Sequence, residues 1–361
     1  MRLAVVTHTD GGFVVGDERR RIDHVIDEGR IPTSVLRVGI KALILARLAA
    51  SGTHRLDVEQ LWHGPVTINV DDANRQHYTV PDSFFQTILG PHLKYSAAVW
   101  PNTVRNLAQA EHAALTLTCQ RADIRDGQNI LELGCGWGSL SLFIAATYPN
   151  AHITAVSNSV TQRNFIRAQA QARGLTNVHV VTRDIGRLTS GTDSDVVADG
   201  TFHRIVSVEM MEHARNHREL GRRIAGWLTH DGSVFVHVFA HKTRAYTFDV
   251  GGRGDWMARH FFTGGMMPSS DLLPRAFDAL THQQTWWVNG RHYAKTLAAW
   301  RRRLETHHDE LVPLLQDGQS RAVGVARYNR WRVFLIACEE LFAFGQGRHF
   351  GVVHHRFIKS T

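Results

Sequence analysis

The stretch ILELGCGWGSL, residues 130–140, decides the fold. An apolar run ends in an acid, Glu132, and Gly134, Gly136 and Gly138 follow at alternate positions before the apolar helix pattern SLSLFIAATYP. That is the signature of a buried strand, a tight turn and a helix. It opens a run of such units: HITAVSNS and VHVVTRDI are a second and third strand, FHRIVSVEM a fourth and SVFVHVFAHKT a fifth, with helical patterns such as TQRNFIRAQAQARGL between them. Strands alternating with helices at this spacing predict a doubly wound α/β sheet covered on both faces.

Around this core, predicted at 110–240, the sequence changes character. Residues 1–109 read as an N-terminal helical cap, with a charged helix from residue 17, the pattern SVLRVGIKALILARLAA, a short extended arm GPVTINVD and a helix PDSFFQTILG. The basic amphipathic pattern in 34–50 suits a core helix with a solvated edge better than a membrane-surface helix. Residues 241–319 break the strand–helix rhythm with GGRGDW, FFTGGMMP and aromatic clusters, and read as a lid insertion. Residues 320–361 supply a helix and a last core strand, HFGVVHHRFIK.

Composition narrows the class. The 361 residues are 43% apolar, enough for a large core, and the formal charge is +8, carried mainly by arginine. A basic surface is compatible with nucleic acid, anionic lipid or an acidic ligand, but compositional bias explains it better; no nucleic-acid partner and at most peripheral membrane contact are expected. Cys119, Cys135 and Cys338 form no CxxC pair, so neither a metal site nor a disulfide framework is expected, and a cytoplasmic location follows. The N-terminus lacks a signal-peptide pattern and no apolar run is long enough to span a bilayer. A homodimer is compatible with the sequence.

In an open parallel sheet, ligands sit beyond the carboxyl ends of the strands. Glycines at 134, 136 and 138 let backbone approach a ligand closely. A dinucleotide site would space its glycines differently and put its acid after the second strand. Here the acid precedes the glycines, where it repels pyrophosphate and suits a cationic amino-acid end such as that of S-adenosylmethionine. Asn158, Ser159 and Gln162 after the second strand offer neutral hydrogen bonds for ribose. Asp184 and Ile185 after the third offer an acceptor and a packing face for adenine.

These segments carry a resemblance. ILELGCGWGSLSLFIA, TAVSNSVTQRNFI, RIVSVEMMEHARNH, FFTGGMMPSS and HYTVPDSFFQTILGPHLKYSAAVW closely resemble the cyclopropane fatty acid synthase family of methyltransferases over roughly residues 17–359. The resemblance implies a class I methyltransferase fold with a seven-stranded sheet, S-adenosylmethionine as cofactor, and Tyr78, Tyr95 and Ser96 closing over it. One branch of the family adds methylene to lipid double bonds; another, typified by coclaurine N-methyltransferase, methylates alkaloid amines. Glu209, Glu212 and His213 resemble the E-x-x-E-H of the amine branch, where the lipid branch has glycine first. A carboxylate there can hold an ammonium and take its proton, and a histidine can relay it. His241 and Lys242 resemble the CHKT of that branch.

The lipid branch holds a bicarbonate base. Its cradle resembles Glu212, His237 and Tyr293 here, but Ala97 replaces its cysteine, so the cradle is partial. The expected function is methylation of a small molecule, an amine first, with an unsaturated acyl lipid or other alkene as the alternative; a cofactor-binding protein without catalysis is the remaining class. Trp256, Phe261, Phe262, Met266, Met267, Trp286 and Trp287 are candidates either for a substrate pocket or for packed core.

Overall fold

The computed structural model describes residues 21–50, 56–68, 80–251 and 255–360. In chain order the elements that matter here are α1 (Thr33–Ala50), α2 (Asp82–Ile88), α3 (Leu107–Ala122), β1 (Asn129–Leu133), α4 (Ser139–Thr147), β2 (His152–Ser157), α5 (Val160–Ala172), β3 (Val178–Thr182), β4 (Phe202–Val208), α6 (His217–Trp227), β5 (Leu228–His241), β6 (Tyr246–Thr247), β7 (Met266–Met267), β8 (Leu280–Asn289), α7 (Gly290–Thr306), α8 (Arg321–Gly347) and β9 (Phe350–Lys359).

Seven strands form one sheet in the order β3-β2-β1-β4-β5-β9-β8, with β6 and β7 as a separate pair. The strands from β3 to β5 are parallel, whereas β9 runs antiparallel to β5 and β8 antiparallel to β9. The chain winds outward from β1 to β3, then restarts at β4 on the other side of β1. This puts the topological switch, where such sheets bind ligands, between the carboxyl ends of β1 and β4. Ile130, Leu131 and Leu133 of β1 are fully buried, and each contributes roughly 1.5–3 kcal/mol by leaving water. Three of the helices around the sheet, α3, α5 and α6, begin at side-chain caps: Asn106 Oδ1 accepts from Gln109 N at 3.0 Å, Ser159 Oγ from Gln162 N at 3.3 Å and Asn216 Oδ1 from Glu219 N at 3.0 Å.

The expected insertion over 241–319 is shorter in the structure. Leu280–Asn289 is the edge strand of the main sheet, and α7 continues from it to pack against α8. Thr281 to Thr285 are exposed, so the segment lacks the apolar run that marked the other strands. The arm GPVTINVD is reduced, among its described residues, to a single bridge between Thr67 and Ala214. In α1, Arg37 is not a solvated edge: it pairs with Glu339, at 2.8 Å, and Glu340 of α8, while Val38 and Leu45 face outward. Among the described residues, no helix is long and apolar enough to cross a membrane.

Candidate active site

A cavity of about 1060 Å³ opens at the carboxyl ends of β1 and β4, at the upper end of the range for small-molecule sites. The turn after β1 forms one end of it, and its three glycines serve three purposes. Gly134 has φ +82°, and a Cβ there would stand 2.7 Å from Met210. Gly136 has φ +52° and nothing within 4 Å of its Cβ direction, so its open side faces the cavity. Gly138 caps α4 with φ +78°, and its Cβ would meet Ile166 at 2.7 Å; it serves helix packing and does not reach the cavity wall. Trp137 is buried between Phe85 and Phe165, with ring centroids at 5.3 and 5.4 Å, and turns the glycine loop into a firm floor.

Glu132 is buried beside this turn and accepts from Ser141 Oγ. Burial pushes its carboxyl up to about 7, against the pull of Ser141 and of the Lys94 charge. Ser157 Oγ donates to Gln162 Oε1 at 2.7 Å, which fixes that amide at the wall next to Asn158. Asp184 Oδ1 accepts from Gly186 N at 2.8 Å, with Ile185 beside it on the wall. Tyr95 and Ser96 reach the same cavity; Ser159 does not, because its hydroxyl caps α5, and Tyr78 lies outside the described residues. An acid at the strand end, an open glycine and neutral hydrogen-bonding groups fit a ligand with a cationic amino-acid end and no phosphate.

Glu209 marks the opposite end, immediately after β4. Its φ is +48°, a left-handed conformation that a non-glycine residue adopts at a cost. Its carboxylate is the meeting point of three donors: Ala97 N to Oε1 at 2.8 Å, His237 Nε2 to Oε1 at 3.0 Å and Tyr293 hydroxyl to Oε2 at 2.6 Å. The members of the expected bicarbonate cradle do converge, but on Glu209 rather than Glu212. Glu212 is fully buried behind the wall, with Oε1 accepting from Phe239 N at 2.7 Å. Burial raises both carboxyls, and the Glu209 charge raises Glu212 further, whereas Lys94 and the three donors favour charge on Glu209. The asymmetry favours the negative charge on Glu209 and the proton on Glu212.

His213 lines the cavity with its ring 4.9 Å from that of Phe262. Burial lowers its imidazole to about 4, with Glu209 opposing, so at neutral pH it is an uncharged base. His237 stands behind Glu209, off the wall. His241 and Lys242, the CHKT-like pair, lie beyond the cavity: His241 Nδ1 accepts from Thr243 N and Arg244 N. Of the lid aromatics, Trp256 and Phe262 reach the cavity, as does Met267, but Phe261 and Met266 are packed core and Trp286 and Trp287 belong to β8.

Lys94 is a site residue that the sequence reading passed over. It is buried at the wall, donates to Ser96 Oγ at 2.6 Å and to Ala97 O at 2.8 Å, and burial brings its ammonium down to about 8. It fixes the 94–97 turn that aims Ala97 N at Glu209. Its only signal was a lysine inside an apolar, aromatic segment.

Residues 67–350 match the family described as mycolic acid cyclopropane synthetase. The chain belongs to this family. Within it, (S)-coclaurine N-methyltransferase of Thalictrum flavum subsp. glaucum is 34% identical over 298 residues, covering 81% of this chain and 80% of that one. (S)-Tetrahydroprotoberberine N-methyltransferase of Eschscholzia californica is 33% identical, covering 80% and 81%. Cyclopropane-fatty-acyl-phospholipid synthase of Escherichia coli K12 is more distant, at 27% over 63% of this chain and 55% of that one. A crystal structure of coclaurine N-methyltransferase bound to N-methylheliamine and S-adenosylhomocysteine superposes with a TM-score of 0.87 at 28% identity, covering 95% of this chain and 100% of that one. This member of the mycolic acid cyclopropane synthetase family is an S-adenosylmethionine-dependent methyltransferase with the class I fold.

Proposed function

We propose that the enzyme N-methylates a small amine carried on an apolar, ring-bearing body; its plant relatives are named N-methyltransferases. The observation that carries this reading is the Glu209 carboxylate, which occupies the cradle of Ala97 N, His237 and Tyr293 with the protein's own oxyanion. S-adenosylmethionine supplies the methyl group as an electrophile on sulfonium. Glu209 presents a negative charge to the substrate ammonium and draws it to the wall. His213, uncharged and at the same wall, takes the proton from nitrogen and frees the lone pair that forms the new N–C bond. One proton is released for each methyl moved. Phe239, Phe248, Phe262 and Trp256 give the rest of the cavity an apolar, aromatic lining for the substrate body. Bicarbonate has no role in this reading. Three thiols without a disulfide support a cytoplasmic setting.

A second reading, methylation or cyclopropanation of an unsaturated acyl lipid, draws support from exposed Val35 and Leu43 at the cavity rim. Methyl-labelled S-adenosylmethionine, offered with secondary cyclic amines or with vesicles of unsaturated anionic phospholipid, separates the two. Label should enter the amines and be indifferent to bicarbonate. Label only in lipid, lost when bicarbonate is withdrawn, overturns the amine reading.

A further inference from the structure

Behind Glu209 a buried line of hydrogen bonds crosses the sheet. His237 Nε2 meets Glu209 Oε1 at 3.0 Å, His237 Nδ1 meets His354 Nε2 at 3.0 Å, and His354 Nδ1 meets Arg121 Nη1 at 2.7 Å. His237 on β5 and His354 on β9 are register partners, and both are almost wholly buried. Arg121 sits in the last turn of α3, its guanidinium 4.9 Å over Trp286, the partner of His354 on β8. The line thus ties three strands and a helix to one catalytic carboxylate.

An arginine can only donate. The nitrogen facing it, His354 Nδ1, must therefore hold a lone pair, and the His354 hydrogen must be on Nε2. That hydrogen points at His237 Nδ1, which must then accept, leaving the His237 hydrogen on Nε2, aimed at Glu209. We propose that Arg121 is a positioning residue for methyl transfer: its donor-only character locks both histidines as Nε2–H tautomers and makes Glu209 a permanent acceptor. Burial agrees, since it holds both imidazoles well below their ordinary range, with Lys94 and Arg121 pushing the same way. The other ionisable groups facing Glu209 are Lys94, Tyr293, His213, Glu212 and Cys338, and His355 faces His354.

A chain of fixed direction cannot carry the reaction proton outward. Every nitrogen turned toward Glu209 already bears hydrogen, and the far end cannot accept one. The proton taken from the substrate nitrogen therefore leaves on the cavity side, through His213. This inference rests on Glu209 being the acid that meets the amine.

Its test begins without substrate. Long-range proton–nitrogen NMR on the full chain labelled with 15N-histidine should show His237 and His354 as neutral Nε2–H tautomers at pH 7. An Nδ1–H tautomer or an imidazolium at either position overturns the proposal. Arg121→Met should then mix the tautomers, lower kcat about tenfold and move the acid limb of kcat/KM upward by about one pH unit, with the KM for S-adenosylmethionine unchanged. Arg121→Lys, still donor-only, should restore the tautomers and most of the rate. A folded Arg121→Met with the pH profile of the unaltered enzyme also overturns it; if that variant does not fold, the tautomers of the unaltered chain decide. Correct tautomers in an enzyme that methylates no amine would sink the amine reading and leave the lock standing.

Discussion

Tyr293 donates its hydroxyl hydrogen to Glu209 Oε2 at 2.6 Å, joining the start of α7 to the end of β4 across 84 positions of chain. The phenol is held in place by stacking on Phe342, with ring centroids at 4.3 Å. A charge-assisted bond of this kind is worth about 1.5–3 kcal/mol. Tyr293→Phe should lower kcat roughly tenfold and raise the KM for the amine, while Glu209→Gln should lower kcat by about a hundredfold or more. Steady-state kinetics with labelled cofactor measure both, and cofactor affinity should stay level in each.

The glycines of the turn should separate by phenotype. Gly136→Val places a branched side chain in the cavity, at a backbone cost of about 1–2 kcal/mol, and calorimetry should find S-adenosylmethionine affinity reduced by about a hundredfold in a folded protein. Gly138→Ala drives a methyl against Ile166 and should lower the Tm by several degrees, with overpacking costing about 1–3 kcal/mol and cofactor affinity little changed. Unaltered affinity in Gly136→Val would move the cofactor elsewhere.

If Glu132 meets the cofactor, it links cofactor binding to pH. Its carboxyl is raised to about 7, so below neutrality the free enzyme holds a proton there that a cationic ligand must expel. Affinity for S-adenosylmethionine should therefore fall as pH drops from 7, approaching tenfold per unit. Calorimetry in buffers of different ionisation heat should register proton release near pH 6.5, and Glu132→Gln should abolish both the release and the slope.

His213 should remain uncharged far below the usual imidazole range. Its folded value is lowered to about 4, so it keeps its lone pair above that and loses it as pH falls through it. Histidine NMR of the enzyme should find no titration of His213 between pH 8 and about 5. His213→Ala should cut kcat by about a hundredfold without changing cofactor affinity. An imidazolium that persists above pH 7 would deny it the neutral-base role.

The parallel core was legible in the sequence because β1, β2, β4 and β5 are largely buried runs and β3 is a short apolar run, each bounded by turns, and a pattern of that kind survives without any knowledge of partners. The end of the cavity proposed for the cofactor could be located for the same reason: the residues after β1, β2 and β3 are local in sequence. β8 was not, since an edge strand with Thr281, His282, Gln283 and Gln284 exposed obeys no core pattern. The proposed reacting end was half legible. E-x-x-E-H drew attention to Glu209, Glu212 and His213, but which carboxylate meets His237 and Tyr293 depends on the turn at Glu209, and no spacing states that. His354 acts only through neighbours far along the chain, and Lys94, though its own bonds are local, meets Glu209 only through the fold, so no pattern announced either.

The left-handed backbone at Glu209 has an engineering consequence. Glycine adopts φ +48° without penalty, so Glu209→Gly relaxes the strand end while deleting its side chain. What remains is a vacant, carboxylate-sized hole ringed by Ala97 N–H, His237 Nε2–H and the Tyr293 hydroxyl. A tethered anion would thereby be exchanged for a diffusible one. Formate, acetate or bicarbonate added to Glu209→Gly should restore turnover in a saturable way, with the order of rescue reporting the size and basicity the hole accepts. One side chain, on a backbone torsion that glycine shares, thus separates an enzyme that carries its own anion from one that must borrow it from solution.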